Sequence, residues 1–210
     1  MMFSGSSLTS MAATLLAILL AITFHETAHG YVAYRLGDPT AKNQGRLTLN
    51  PVAHLDPVGA LMMFVAGFGW AKPVPVNPFY FNGDRTKGLM LVSVAGPLTN
   101  LLLSFASYFI YVAGKGFGTV PFVNVFLTQM ILLNIYLAIF NLIPVPPLDG
   151  SKILAGFLPK AMAYKYLTTV EKYGFVILLI LIVFNITDMI LVPVANIVLN
   201  AMELILFAIF

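Results

Sequence analysis

The segment of this chain best equipped to do chemistry is His25-Glu26-Thr27-Ala28-His29. On a helix, positions i and i+4 share a face, so both imidazoles can bind one zinc ion. Glu26 sits beside them, where it can take a proton from metal-bound water. A reactive zinc site usually has three protein ligands and a position left for water, so a third donor must come from elsewhere. Asp149 is the best placed, within Asn141-Leu-Ile-Pro-Val-Pro-Pro-Leu-Asp149-Gly150. The prolines there end the preceding helix, and Gly150 permits a tight turn. His54, the only other histidine, competes for the same role, whereas Glu171 and Glu203 lack comparable surroundings.

Hydrophobic residues make up 60% of the 210 positions and charged residues only 9%. Soluble domains carry roughly 25% charged residues, so this chain cannot cover a globule with polar surface and lipid must solvate much of it. The formal charge is +3, with basic residues scattered between apolar runs. They read as membrane-flanking charges and not as a nucleic-acid surface. The absence of cysteine excludes disulfides and thiolate metal sites. Met1 to Ser10 lacks a basic leader, and no small-residue cleavage site follows, so the first apolar run reads as a retained helix.

A membrane-crossing helix needs about 20 mostly apolar residues. Spans are expected near residues 8–36, 88–113, 122–143, 173–187 and 189–210, with Asn185 and Asp188 separating the last two. The expected fold is an all-α polytopic helix bundle forming a single membrane domain over 1–210. Between the first two spans, Thr40 to Leu49 reads as a short strand pair around Gly45. Leu61 to Phe68 is too short to span and reads as re-entrant or interfacial, and Trp70 to Pro78, with three prolines, as extended.

Three separated motifs, Phe24-His-Glu-Thr-Ala-His-Gly30, Asn50-Pro-Val-Ala-His54-Leu-Asp-Pro-Val-Gly59 and the Asn141 to Gly150 segment, together resemble the site-2 protease family of intramembrane zinc proteases. The resemblance covers about 130 residues in family order. It implies one zinc ion held by His25, His29 and Asp149, with Glu26 as catalytic base, and a membrane-spanning protein as substrate. Ala95-Gly-Pro-Leu-Thr-Asn100 resembles a further family segment. Asn100 and Asn141 are candidates for hydrogen bonds to substrate or oxyanion, or alternatively for bonds between helices. His54 is a candidate oxyanion or substrate group, or else a loop-stabilising one. Asp56 is expected to cap the following segment, and Gly96 to permit close packing. Accessory domains carried by many relatives have no room here, which leaves timing to a separate membrane partner or to the substrate. Two other functions fit a metal-binding membrane protein: a zinc transporter or sensor, and a catalytically silent scaffold. Transport would call for several metal sites along a path, and silence for a missing base or ligand.

Arg35, Lys42, Arg46, Lys72, Arg85 and Lys87 lie between the first two spans, and Lys152, Lys160, Lys165 and Lys172 follow the third; only Lys115 falls elsewhere. The positive-inside rule places both basic regions in the cytoplasm, the amino terminus outside and the His25 and Asp149 motifs near the cytoplasmic side of the cell membrane. Single cysteines introduced at Ser4 and Lys165 test this with an impermeant thiol reagent on intact cells. Ser4 is expected to label and Lys165 to stay protected, and the reverse pattern would invert the orientation.

Overall fold

The computed structural model describes residues 8–66, 69–115 and 120–209, with residues 63–66 and 188 described by backbone alone. It is an all-α multi-pass membrane protein. Five helices are long and apolar enough to cross a bilayer: α1 (Leu8–Arg35), α4 (Arg85–Ala113), α5 (Pro121–Asn141), α7 (Lys160–Val183) and the Met189–Phe207 part of α8 (Ile186–Phe207). Short helices α2 (Thr40–Asn43) and α3 (Pro57–Ala66) lie between the first two spans, and α6 (Asp149–Phe157) between the third and fourth.

Helices α1, α4 and α5 pack pairwise on one another, α6 lies against α4, and α8 against α5. In lipid, helices associate through close packing and interhelical hydrogen bonds, because the tails are as apolar as the side chains. The contact face of α1 shows how. Ala13, Ala17, Ala21, His25, His29 and Ala33 recur every four residues and are all buried. Small residues bring the backbones together, and the same stripe carries the two histidines into the interface. Helix α7 stands apart, packed chiefly on α6 and α8. Its amino end is tied to that of α4 by an ion pair, Lys160 Nζ to Asp84 Oδ2 at 3.0 Å. Asp84 also caps α4, accepting from the Thr86 and Lys87 amides.

Several boundaries differ from the sequence reading. The fourth span begins at Lys160 and not near Tyr173, because Lys165, Glu171 and Lys172 lie on exposed helix that the apolar count passes over. The second begins at Arg85, where Asp84 supplies the cap, and the third ends at Asn141. The last helix starts at Ile186, after Asn185 in the left-handed conformation. Thr40 to Leu49 is no strand pair. Asp38 accepts from the Thr40 amide at 2.9 Å and starts a helical turn that runs to Asn43, closed by Gly45 at φ +65°. Leu61 to Ala66 belongs to α3, with residues 67 and 68 outside the described set. Asp56 accepts from the Gly59 amide at 2.8 Å, as a cap should.

The 70–77 segment is extended, as its prolines require. An isolated antiparallel bridge joins Leu55 to Ala71, the Lys72 amide donates to the His54 carbonyl, and Arg46 Nη2 donates to the Lys72 carbonyl at 2.7 Å. The Asn77 amide donates to Asp38 Oδ2 at 2.6 Å. The start of the segment is thereby pinned to residues 46–55 and its end to Asp38, just beyond α1.

Ala17→Leu inserts three carbons where α1 meets its neighbours and is expected to cost about 1–3 kcal/mol, read as a lower thermal midpoint of the protein in detergent. Leu16→Ala, on the outward face at 41% exposure, is expected to change stability by less than about 1 kcal/mol and leave the midpoint nearly unchanged.

Candidate metal centre

His25 and His29 reach the centre because they continue the alanine stripe of α1. Asp149 reaches it as the first residue of α6. That placement depends on Gly150: a Cβ there would lie 2.2 Å from the Leu142 carbonyl oxygen and 2.5 Å from that of Ile143. No side chain fits, so only glycine lets the start of α6 fold back onto the end of α5. Gly96 has the same function from the α4 side. A Cβ at this position would sit 2.5 Å from His29 Nε2 and 2.6 Å from His25 Cε1. The expected close packing at Gly96 is therefore packing against the imidazoles themselves.

The donor atoms converge. His25 Nε2 and His29 Nε2 are 3.0 Å apart, and Asp149 Oδ2 lies 3.3 Å from the first and 3.2 Å from the second. Donors around a tetrahedral zinc, at bonds of roughly 2.0–2.1 Å, are separated by about 3.3 Å. The three atoms thus have the spacing of one face of such a site. They are the one group of this kind among the described residues, and all three residues are buried.

Hydrogen bonds from the far side of each ring fix the tautomers. His25 Nδ1 is 2.5 Å from Asn100 Oδ1, and His29 Nδ1 is 2.7 Å from the Val92 carbonyl oxygen. Asn100 Nδ2 donates to Asn134 Oδ1 at 2.7 Å and to the Ala21 carbonyl, which orients its oxygen towards His25. Both Nδ1 atoms therefore face acceptors and carry protons, leaving Nε2 lone pairs directed at one another and at a carboxylate. Such an arrangement in a buried site calls for a cation, so the donor set fits zinc. Pro97 lies inside α4 and has no N–H for the Ser93 carbonyl, next to the Val92 carbonyl that faces His29.

Glu26 is half-buried and its Oε2 accepts from the Val74 amide at 2.8 Å. It lines a cavity of about 320 Å³ together with His25, His29, Asp149 and Asn141. Asn141 donates one hydrogen bond to the Leu137 carbonyl. Asn100 is not on that cavity; its contacts are with His25 and with helices α1 and α5. His54 is fully buried, with Nε2 2.8 Å from the Thr48 carbonyl oxygen and 3.5 Å from Thr27 Oγ1. The structure places it in the loop and outside the metal group. Sequence reasoning missed Asn134 and the backbone groups of Val74 and Val92. Asn134 alone left a signal, as one of the few amides within an apolar span.

The model of peptidase family M50, the site-2 protease family, matches residues 13–128 and 118–184. YwhC of Bacillus subtilis, provisionally named a zinc metalloprotease, is 43% identical over 195 residues, 90% of this chain and 88% of its own. Rip2 of Mycobacterium tuberculosis, also provisionally named a zinc metalloprotease, is 30% identical over 78% of this chain and 63% of its own length. Zinc metalloprotease MJ0392 of Methanocaldococcus jannaschii is 25% identical over 85% of this chain and 44% of its own. No solved structure matches.

Asp149→Ala is expected to abolish zinc retention, and Asn100→Ala to weaken it about 10- to 100-fold by freeing the His25 ring. His54→Ala is expected to leave the metal content unchanged. Zinc-to-protein ratios of purified variants at graded chelator concentrations check all three. With the resemblance of three motifs, the match over most of its length and the convergence of its donors in agreement, the chain belongs to peptidase family M50.

Proposed function

We propose that this protein is an intramembrane zinc metalloprotease that hydrolyses peptide bonds of membrane-spanning proteins. The observation that carries the reading is the meeting of two imidazole Nε2 atoms and a carboxylate beside Glu26, on a cavity among membrane-spanning helices. His25, His29 and Asp149 would hold one zinc ion. Bound there, zinc supplies a Lewis acid that polarises a carbonyl and acidifies water.

The remaining work falls to the chain. Glu26 accepts a proton from the attacking water and returns it to the leaving amine nitrogen. The Val74 N–H holds one carboxylate oxygen, so the base does not have to be oriented as the reaction proceeds. Asn141 faces the cavity and is the side-chain amide available to a substrate carbonyl there. A substrate helix has its carbonyls already hydrogen-bonded and must unwind before water can attack. Pro73, Val74 and Val76 of the extended segment line the same cavity, where an unwound stretch can lie alongside them. The lysine and arginine distribution supports an active site near the cytoplasmic side of the cell membrane, and a separate membrane protein is the expected regulator.

Glu26→Gln is expected to keep zinc at the parent ratio while cleavage of a co-reconstituted single-span substrate falls by about 10²- to 10⁴-fold. Cleavage near the parent rate by the metal-loaded variant would remove Glu26 from the role of base.

A further inference from the structure

A second cavity, of about 440 Å³, adjoins the first and shares Leu89, Pro147 and Lys152 with it. Its other apolar walls are Pro146, Leu167 and Phe175. Leu167, Glu171 and Phe175 are spaced by four on α7 and so form one stripe of that helix. The wall is fixed in place by Gly174, where a Cβ would meet the Pro146 carbonyl oxygen at 2.2 Å. Although α7 is otherwise loosely attached, it is docked against the loop that leads to Asp149.

Two charged groups face this opening. Lys152 is half-buried on α6, three residues after Asp149, and lines both cavities. The ion pairs among the described residues are those of Asp149 with His25 and His29 and of Lys160 with Asp84, so Lys152 belongs to none. A partly desolvated ammonium without a counter-charge is unfavourable. Glu171 lies on the opposite, exposed wall, outside ion-pair distance. The second cavity is thus walled mostly by apolar side chains, with an ammonium where it joins the metal site and a carboxylate on the α7 wall between Leu167 and Phe175.

We propose that this cavity is a substrate subsite that takes an apolar side chain, with Lys152 pairing with an acidic substrate residue close to the bond being cut. The assignment rests on the proteolytic reading above. A stretch of substrate unwound across the metal must place its flanking side chains in space continuous with the catalytic cavity, and this opening shares three walls with it. Glu171 disfavours an acidic residue beside the α7 wall, so the charge pattern favours placing it at Lys152, where the two cavities join.

The test is charge reversal on both partners. The full chain, Lys152→Met and Lys152→Glu are reconstituted in zwitterionic vesicles, with and without added anionic lipid, together with single-span substrates carrying Glu, Gln or Lys at successive positions either side of the cut bond. At one position the parent is expected to cut the Glu substrate about five- to tenfold more efficiently than the Lys substrate. Lys152→Met is expected to level the two, and Lys152→Glu to invert the order at that same position, with zinc content equal to the parent's. The proposal is overturned by a parent indifferent to substrate charge, by a preference that survives in Lys152→Glu, or by loss of zinc in both variants, which would make Lys152 a support for Asp149. A rate that follows anionic lipid instead of the substrate residue would assign the ammonium to a lipid headgroup and overturn it equally. If the metal-loaded parent cuts none of the substrates, proteolysis itself fails, an outcome distinct from a flat charge series.

Discussion

Mutual repulsion among three lone-pair donors dominates this molecule. Two imidazole nitrogens and a carboxylate oxygen within 3.0–3.3 Å of one another cannot be held in a bundle interior by packing alone. A cation, whether protons or a metal, has to lie between them, and the surroundings decide which. Asn100 and the Val92 carbonyl occupy the outer nitrogens, so the ring protons are directed outwards and the inner lone pairs are left for metal. That choice in turn demands Asn134 to orient Asn100, and the Val92 carbonyl of α4 to face His29. Each polar group is explained by the one inside it, and the series ends where the bonds of α5 close on themselves at Met130.

Packing supplies what electrostatics cannot. The alanine stripe on α1 draws that helix against α4 and α5, and the histidines lie on it as two further members of the period. Where side chains would be too large, glycine replaces them: Gly96 opposite the rings and Gly150 beneath the carboxylate. The metal group is therefore a place where three backbones come unusually near one another, and its geometry follows from helix contact more than from local loop structure.

Much of this was readable in the linear chain and some was not. His25, Glu26 and His29 stand out because a single helix turn relates them, and Asp149 because prolines and a glycine mark it as the start of something new. The spans were readable from composition wherever charge was absent, and misplaced in α7, where Lys165, Glu171 and Lys172 sit on helix that is exposed. The supposed strands at Thr40 to Leu49 misread Asp38-Pro39, whose chemistry starts helices. Asn100 carried a motif signal, but its task depends on the carbonyl of Ala21 and the amide of Asn134, at separations of 79 and 34 residues. No local pattern encodes such a contact. Backbone groups such as the Val74 amide are invisible to any reading by residue type.

That amide has an unusual setting. Val74 is flanked by Pro73 and Pro75, so for two residues either way along the strand the neighbouring positions on that stretch have no N–H of their own except at Lys72 and Val76. Sliding the segment by one residue presents a proline to Glu26, and a proline has nothing to donate. The carboxylate anchor consequently has no graded positions. It behaves as a detent: engaged in a single register, and released entirely by a shift of one residue in the loop.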